Sequence, residues 1–306
     1  MKSGSKLEKI LSAGHFAFTG ELGPPRGANL EAIQKKAEPL KGVVDSVNIT
    51  DNQTAVVRMS SWGASLLAIQ QGLEPNYQMV CRDRNRLAMQ ADVLGAYALG
   101  IRNILCLSGD HQQFGDHPQC KGVFDIDSMQ LIQAVKGMRD GKFINGQEVD
   151  EPPRMFIGAA ANPFAEPFEW RVYRLAKKIN AGADFIQTQC IYNMEKMREW
   201  VKRARDMGLT EKVYILAGIT PMKSLGMARY MKSKVPGMDV PDEVINRLKG
   251  VEKKKQGKEG IAMACEQIQE FKEMKGISGI HLMAIEWEHR VPEIAEQAGM
   301  LPRPEV

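Results

Sequence analysis

Two carboxylates, a hydroxyl and an amide lie at or near the ends of short apolar runs that predict β-strands. Glu21 belongs to a Thr-Gly-Glu-Leu-Gly-Pro-Pro segment and Asp110 to a Ser-Gly-Asp-His segment, whereas Thr50 and Gln189 lie at the ends of two other runs. A carboxyl among apolar neighbours can act as a general acid, whereas one near hydrogen-bond donors stays ionised. Amides and hydroxyls suit recognition of a heterocycle that carries donors and acceptors. These residue types favour acid–base chemistry on a bound heterocycle.

Eight apolar runs of this kind alternate with helical stretches along the chain. The predicted strands are Phe16–Leu22, Asp45–Thr50, Tyr77–Arg82, Asn103–Leu107, Met155–Ala161, Phe185–Cys190, Val213–Ile219 and Gly279–Ile285. The predicted helices between them are Asn29–Lys41, Arg58–Gln71, Asn85–Leu99, Asp127–Asp140, Glu169–Ala181, Met194–Met207, Lys223–Lys234 and Gly260–Lys275. Glycines that can end a helix before the next strand are Gly42, Gly72, Gly100, Gly182, Gly208 and Gly276.

The alternation of strands and helices predicts right-handed βαβ units and a parallel sheet. Eight units followed by a last helix, Glu288–Ala298, predict an α/β protein with a (β/α)8 TIM barrel, in which outer helices surround a closed parallel sheet of eight strands. An open doubly wound sheet is the alternative, and it is disfavoured because no GxGxxG follows a strand. Active sites of barrels lie at the carboxyl ends of the strands. The polar residues described above therefore predict one site.

Two connections depart from the repeat. An Asn-Gly pair within Lys142–Pro153 predicts a hairpin before the fifth strand, and residues Pro236–Gly260 predict a long connection between the seventh and eighth strands. The remaining length fits one barrel, since α/β barrels routinely use about 250 residues as a single domain. We therefore expect residues 1–306 to form a single domain.

Composition excludes several classes of protein. The chain has 43% hydrophobic and 25% charged residues, which is typical of a packed globular protein. A formal net charge of +4 is too small for a dedicated nucleic-acid binder. No run approaches the roughly 18 apolar residues that a membrane span needs, and the first residues lack the apolar core of a signal peptide. We expect a cytoplasmic protein that binds neither nucleic acid nor a membrane.

The cysteines and histidines favour neither a disulfide framework nor a metal site. The five cysteines never form CxxC, and Cys81, Cys106 and Cys190 fall in apolar runs where a reduced thiol packs as a small hydrophobic group. His111 and His117 lie beside acidic residues but offer no pair at helical spacing. We expect no metal.

Four motifs in order along the chain resemble the methylenetetrahydrofolate reductase family, whose members are flavin-dependent (β/α)8 barrels. The motifs are Glu21–Pro25, Ser108–Asp110, Asn180–Asp184 leading into Thr188-Gln189, and Ala217–Pro221, so the resemblance covers essentially the whole chain. Cys81–Asn85 and Gly115–Pro118 resemble the bacterial branch that is fused or coupled to other one-carbon proteins. The resemblance implies the prokaryotic type, without an adenosylmethionine-sensing domain.

This resemblance implies reduction of 5,10-methylenetetrahydrofolate to 5-methyltetrahydrofolate by hydride transfer from a reduced flavin. Glu21 then matches the general acid that assists opening of the substrate's five-membered ring, and Asp110 matches the acidic residue near the pterin and flavin. Gln189 matches a folate-binding position, and Leu225 and Trp287 are also expected to bind substrate. The residues expected to contact the flavin are Thr50, Gln78, Arg82, Ser108, Gly109, Asp110, Phe124, Asp127, Lys177 and Lys178.

Three positions depart from the family pattern. Gln78 replaces a histidine, Ser108 replaces an arginine, and Trp287 replaces a substrate-contacting arginine, while Arg82 or Arg84 could restore positive charge. FAD is the favoured flavin and FMN the alternative. The expected electron donor is NADH or NADPH, or instead a small iron–sulfur or zinc partner protein. The chain is expected to form a homo-oligomer or a complex with such a partner.

Two other functions are compatible with the same residues. A pterin-binding barrel of the methyltransferase type would use Glu21 and Asp110 to hold the ring and would bind no flavin. A non-catalytic subunit would hold cofactor and dock a partner.

Overall fold

The computed structural model of the chain describes residues 1–235 and 237–306. Eight parallel strands close into a barrel in chain order, with the last strand pairing with the first. The strands are β1 (Ala17–Leu22), β2 (Ser46–Ile49), β3 (Pro75–Val80), β4 (Asn103–Leu107), β5 (Phe156–Ala161), β6 (Phe185–Cys190), β7 (Tyr214–Ile219) and β8 (Gly279–Leu282). The prediction of a (β/α)8 barrel is confirmed.

One helix precedes the first strand, one follows the last, and the others occupy the connections between strands. They are α1 (Lys6–Ser12), α2 (Leu30–Ala37), α3 (Ser61–Gln70), α4 (Arg86–Ala98), α5 (Ser128–Arg139), α6 (Arg171–Ala181), α7 (Met194–Asp206), α8 (Leu225–Lys234), α9 (Asp242–Lys249), α10 (Gln256–Glu273) and α11 (Val291–Gln297). None of the helices in the described ranges has both the length and the apolar character needed to cross a bilayer.

The two irregular connections both contain local structure. Lys142 and Glu148 form an antiparallel bridge, which confirms the hairpin signal before β5. Helix α10 begins at Gln256, earlier than the Gly260 expected from sequence, because the Gln256 side chain binds the Leu225 amide and the Leu248 carbonyl and so ties the helix start to α8 and α9. Pro236, the first residue of the predicted long connection, lies outside the described residues.

The predicted helix-ending glycines have the required backbone conformation. All six have positive φ, from 64° at Gly208 to 118° at Gly182. Side chains with a Cβ avoid this region, whereas glycine enters it without steric cost. These turns confirm the predicted junctions between helices and strands.

The amino-terminal half of the barrel interior is mainly apolar. Residues of five strands and of α1 form one buried cluster, which we call the lower layer: Ala17, Leu105, Phe156, Phe185 and Leu216 from the strands, with Leu7, Ile10 and Leu11 from α1. The rings of Phe156 and Phe185 stack with centroids 5.0 Å apart. The Ser5 hydroxyl caps α1 by accepting a hydrogen bond from the Glu8 amide at 3.1 Å. Helix α1 therefore closes this end of the barrel.

Candidate active site

A cleft of about 290 Å³ lies at the carboxyl ends of the strands. Its walls come from β1 to β6 and β8, as expected where parallel strands end together. Eight of the residues that the sequence singled out line it: Glu21, Thr50, Gln78, Arg82, Ser108, Gly109, Asp110 and Gln189. The structure therefore brings both predicted catalytic carboxylates to one cavity.

Glu21 lies at a buried position in this cleft, and a histidine that sequence reasoning passed over lies beside it. The carboxylate is only 8% exposed, and its Oε2 is 3.8 Å from Nε2 of the buried His281. His281 is isolated in the sequence and comes close only because β8 pairs with β1, where it stands opposite Thr19. At 3.8 Å the two atoms are too far apart for a hydrogen bond.

Buried side chains beneath Glu21 form a hydrogen-bonded polar layer. His281 contacts the Thr19 hydroxyl through Nδ1 at 3.0 Å and Nδ2 of Asn48 through Nε2 at 3.2 Å. The amides of Asn48 and Gln187 pair with each other at 2.6 and 3.1 Å, and Asn76 donates to Asn48 at 2.7 Å. Partners within the barrel hold these groups in fixed orientations. The polar layer thus forms a rigid floor for Glu21.

The Thr50 hydroxyl differs from the paired side chains of Asn48, Gln187 and His281. Its Oγ1 is buried and lines the cleft, yet it has no hydrogen-bond partner among the described residues. Leaving a buried hydroxyl unpaired costs about 1–3 kcal/mol, so such groups in native proteins call for a ligand or a water. Thr50 therefore offers a donor and acceptor to a molecule bound in the cleft.

Asp110 stands on a tightly seated loop at the cleft's edge. Its exposed carboxylate accepts a hydrogen bond from the Thr54 amide at 3.0 Å. The preceding Gly109 has φ of 88°, and a Cβ there would lie 3.0 Å from Cβ of Val80 and 3.2 Å from Cβ of Arg82. Only glycine fits this position without strain. The close packing of Gly109 against Val80 and Arg82 places Asp110 at the mouth of the cleft.

Two arginines that were expected to supply charge to a ligand are paired within the chain. Arg82 binds the Asp83 carboxylate through two bonds of 2.7 Å and the Asp110 carbonyl at 2.9 Å. The hydrogen bond that Arg82 donates to Asp83 raises the pKa of Arg82. Arg84 donates to the buried Asp51 at 2.7 Å. Both guanidinium groups therefore join the loops that follow β2, β3 and β4.

Basic side chains instead line a neighbouring cavity of about 240 Å³, which we call the basic cavity. Arg171, Arg174 and Lys178 line it from one face of α6, at i, i+3 and i+7. Burial, followed by the charge of Arg174, lowers the pKa of Lys178 to about 8. Lys178 donates to the Ala160 carbonyl, whereas the predicted Lys177 is exposed and lies outside the lining. Sequence reasoning missed Arg171 and Arg174, although their helical spacing with Lys178 was visible.

The basic cavity and the cleft adjoin each other, since Leu107, Ser108, Ala160 and Gln189 line both. One extended ligand can therefore occupy the two, with a heterocycle among the carboxylates and amides of the cleft and an anionic group beside the cations of α6. The family model described as "Methylenetetrahydrofolate reductase" matches residues 6–299. The chain belongs to this family.

Individual relatives agree with the methylenetetrahydrofolate reductase assignment. A probable methylenetetrahydrofolate reductase (NADPH) of Caenorhabditis elegans is 23% identical over 312 residues, which cover 96% of this chain and 44% of the relative. Methylenetetrahydrofolate reductase (NADH) 1 of Arabidopsis thaliana is 31% identical over 144 residues, 45% of this chain and 24% of that protein. The chain therefore spans less than half the length of these relatives.

A solved structure shows the same fold. An uncharacterised protein from Clostridium thermocellum, which binds two copies of 5-methyl-5,6,7,8-tetrahydrofolic acid, superposes with a TM-score of 0.65 at 16% sequence identity. The match covers 97% of this chain and 99% of that chain. At this identity the likeness establishes a shared barrel architecture.

Besides Lys177, four residues that the family resemblance predicted at the site lie outside the linings of the cleft and the basic cavity. Phe124 is 41% exposed, and Asp127 caps α5 by accepting a hydrogen bond from the Gln130 amide at 2.8 Å. Leu225 packs against a buried cluster that includes Met222, Ala228 and Leu248. Trp287 lies between Lys223 and Arg290, whose charged groups are 5.5 and 5.7 Å from its ring. Their roles in binding flavin or folate stay predictions.

The cysteines of this reductase-family chain are all free thiols. Cys81 and Cys106 are fully buried and Cys190 nearly so, as expected from their apolar runs. Burial raises the pKa of Cys81 to about 12 and that of Cys190 to about 11, so both thiols stay protonated and unreactive at neutral pH. Within residues 1–235 and 237–306, no three His, Cys, Asp or Glu side chains group in a way that could hold a metal.

Proposed function

We propose that the chain reduces 5,10-methylenetetrahydrofolate to 5-methyltetrahydrofolate with the aid of a bound flavin. The observation that carries this proposal is the buried Glu21 carboxyl in a cleft that opens into the basic cavity of a methylenetetrahydrofolate reductase family member. We also propose that residues 1–306 act as one flavin-binding domain located in the cytoplasm.

Glu21 acts as the general acid in this proposal. The Glu21 carboxyl gives a proton to a nitrogen of the substrate's five-membered ring, the bond from that nitrogen to the methylene carbon breaks, and the nitrogen keeps the electron pair. The methylene carbon is left as a cationic iminium that can accept hydride. Such proton transfer typically contributes about 10²–10⁴-fold to a rate. His281 lies 3.8 Å from this carboxyl, at the edge of the polar layer beneath it.

The cleft's other polar groups orient and stabilise the substrate. The Asp110 carboxylate provides negative charge at the mouth, where it stabilises the cationic iminium. Gln189, which lines both cavities, offers an amide to the pterin edge.

The residues present fit a flavin. Thr50, Gln78, Ser108 and the Gly109 backbone lie where a polar heterocycle could bind, and Arg171, Arg174 and Lys178 lie where a phosphate-bearing tail would need cations. Reduced flavin, when bound there, supplies the hydride. FAD is the favoured form and FMN the alternative.

The proposed electron donor is NADH or NADPH, since relatives named for each are similar to this chain. A small iron–sulfur or zinc partner protein is the alternative donor. Offering each nicotinamide to the flavin-loaded protein under anaerobic conditions distinguishes them, because a direct donor bleaches the flavin absorbance without a partner.

The proposed reaction is tested with purified chain. We expect a yellow protein, or one that takes up FAD or FMN stoichiometrically, whose flavin is reoxidised when 5,10-methylenetetrahydrofolate is added after anaerobic reduction by dithionite. The absence of any flavin binding would instead favour a pterin-binding methyltransferase. Bound flavin that stays reduced in the presence of the folate would favour a non-catalytic subunit.

A further inference from the structure

A third cavity, of about 230 Å³, lies between α9 and α10 and shares no lining residue with the cleft or the basic cavity. We call it the α9–α10 cavity. Its apolar part includes Tyr192, Met222, Val244 and Met263. Its volume is close to that of the cleft, and it has no part in the proposed reductase reaction.

Ion pairs and close packing join the walls of the α9–α10 cavity. Arg247 of α9 binds Glu266 of α10 through two bonds of 2.5 and 2.7 Å and also binds Glu259, so α9 is held beside α10. A Cβ at Gly260 would lie 1.8 Å from the Met222 carbonyl, which shows how closely the α10 backbone packs on the segment after β7. A space held open in this way is available to a ligand without rearrangement of the helices.

Charges around the α9–α10 cavity favour a cation. Glu243, Glu266 and Glu270 line it, against one lining cation, Arg247. The hydrogen bond to Glu266 raises the pKa of Arg247, whose charge is shared between two carboxylates. Arg198 lies 2.8 Å from Glu270 and offsets part of that charge. Glu243 therefore has no counterion among the described ion pairs, which leaves the rim negative.

We propose that the α9–α10 cavity binds a small amphiphilic monocation, with its apolar body against Met222 and Met263 and its ammonium group at Glu243 and Glu270. A dry cavity of about 150 Å³ is enough to hold benzene, so a cavity of about 230 Å³ admits an aromatic ring with a short alkylamine chain. Methionine side chains adapt to aromatic groups and make favourable sulfur contacts with them.

This site is separate from the cleft. Thr220 lines the α9–α10 cavity, its Oγ1 is 2.9 Å from Sγ of Cys190, and that Sγ is 4.0 Å from Sδ of Met283, which lines the cleft. Three buried or half-buried side chains thus stand between the two cavities. Ligands of the two sites should therefore bind without excluding each other.

Calorimetric titration of the full chain with 2-phenylethylamine tests the proposal. We expect a dissociation constant below roughly 1 mM, and at least tenfold weaker binding of phenylacetate, which has the same ring and the opposite charge. Saturating 5-methyltetrahydrofolate should leave the amine affinity unchanged. Equal affinity for amine and acid, or displacement of the amine by the folate, would overturn the proposal. The titration requires neither flavin nor turnover, so its outcome is independent of the proposed reductase activity.

Two variants place the amine in the α9–α10 cavity. The double substitution Glu243→Gln and Glu270→Gln should weaken amine binding at least fivefold, whereas Glu151→Gln, in the surface hairpin, should not change it. Met263→Trp fills the cavity and should abolish binding, with circular dichroism and thermal unfolding reporting whether the chain folds. Wild-type affinity in the double charge variant would contradict the proposal whether or not Met263→Trp folds.

Discussion

The two halves of the barrel interior are built from the same strands but have different roles, one in stability and the other in ligand binding and chemistry. Strand β1 contributes Ala17 to the lower layer and Glu21 to the cleft, and β6 contributes Phe185 to the lower layer and Gln189 to the cleft. The amino-terminal half is mainly apolar and closed by α1, whereas the carboxyl-terminal half is polar and open. One strand can thus supply stability at one end and chemistry at the other, because successive inward positions lie at different depths in the barrel.

The polar layer separates these halves. Thr19, Asn48, Gln187 and His281 bind one another, so their polar groups are buried without the penalty of unpaired atoms. Above them, Glu21 and Thr50 face the cleft with capacity left for a ligand. Substitutions above this layer should change turnover, and substitutions below it should change stability.

The largest effect is expected for Glu21→Gln. The amide keeps the shape of the side chain but cannot donate the proton that opens the substrate ring, so folate-dependent reoxidation of the flavin should fall by about 10²–10⁴-fold, in line with the usual contribution of a general acid. Rapid-mixing absorbance measures that rate. Reduction of the flavin by its donor should stay near the wild-type rate.

Glu286→Gln is the matched control for this prediction. Glu286 follows β8, is 63% exposed in its side chain and pairs with Lys36 at the surface. Its substitution should leave the reoxidation rate within about twofold, as is usual for exposed positions. A Glu21→Gln enzyme that turns over normally would remove Glu21 from the role of acid.

Many residues of the carboxyl-terminal half of the barrel could be predicted from the sequence. Parallel strands must end together, so the polar residues at their carboxyl ends must lie close to one another. Glu21, Thr50, Asp110 and Gln189 were found in this way and do line one cleft. Strand bounds were also close, since apolar runs and glycine-ended helices are local signals. Local signals therefore sufficed for the barrel and for most of the cleft wall.

Residues whose role depends on contacts between distant elements could not be found. His281 reaches Glu21 only through closure of β8 onto β1, a pairing that no local pattern specifies. The basic cavity depends on which face of α6 turns toward β5, so the sequence indicated Lys177 together with Lys178 and overlooked Arg171. Arg82 was expected to face a ligand because its adjacency to Asp83 in the sequence does not show that the two side chains pair with each other.

Below the polar layer, Phe185→Ala should mainly lower stability. The ring is fully buried and stacks on Phe156, so its loss should cost about 3–5 kcal/mol of unfolding free energy. Urea denaturation measures this change, and Phe114→Ala, at a ring 74% exposed, should cost no more than about 0.5 kcal/mol. A larger loss of stability in Glu21→Gln than in Phe185→Ala would reverse the proposed division between the two halves.

The smallest effect concerns the basic cavity beside the cleft. Lys178→Met keeps the apolar length of the side chain and removes one charge-assisted bond to phosphate, worth about 1.5–3 kcal/mol. FMN affinity should therefore fall by about tenfold to a hundredfold, whereas affinity for riboflavin, which lacks the phosphate, should hardly change. Flavin fluorescence quenching measures both. Lys177→Met, one residue away and exposed, is the control and should bind FMN as the wild type does.

The pKa of Lys178 adds a pH dependence to this prediction. Burial lowers that pKa from 10.5 to about 8, so the side chain is charged below pH 8 and loses its proton as the pH rises above it. The advantage of FMN over riboflavin should accordingly shrink between pH 7 and pH 10 in the wild type, with a midpoint that bound phosphate moves upward, since an anion favours the charged lysine. In Lys178→Met the same ratio should stay flat across this range. A wild-type ratio that is equally flat would show that Lys178 does not meet the phosphate, and would leave Arg171 and Arg174 as the cations that do.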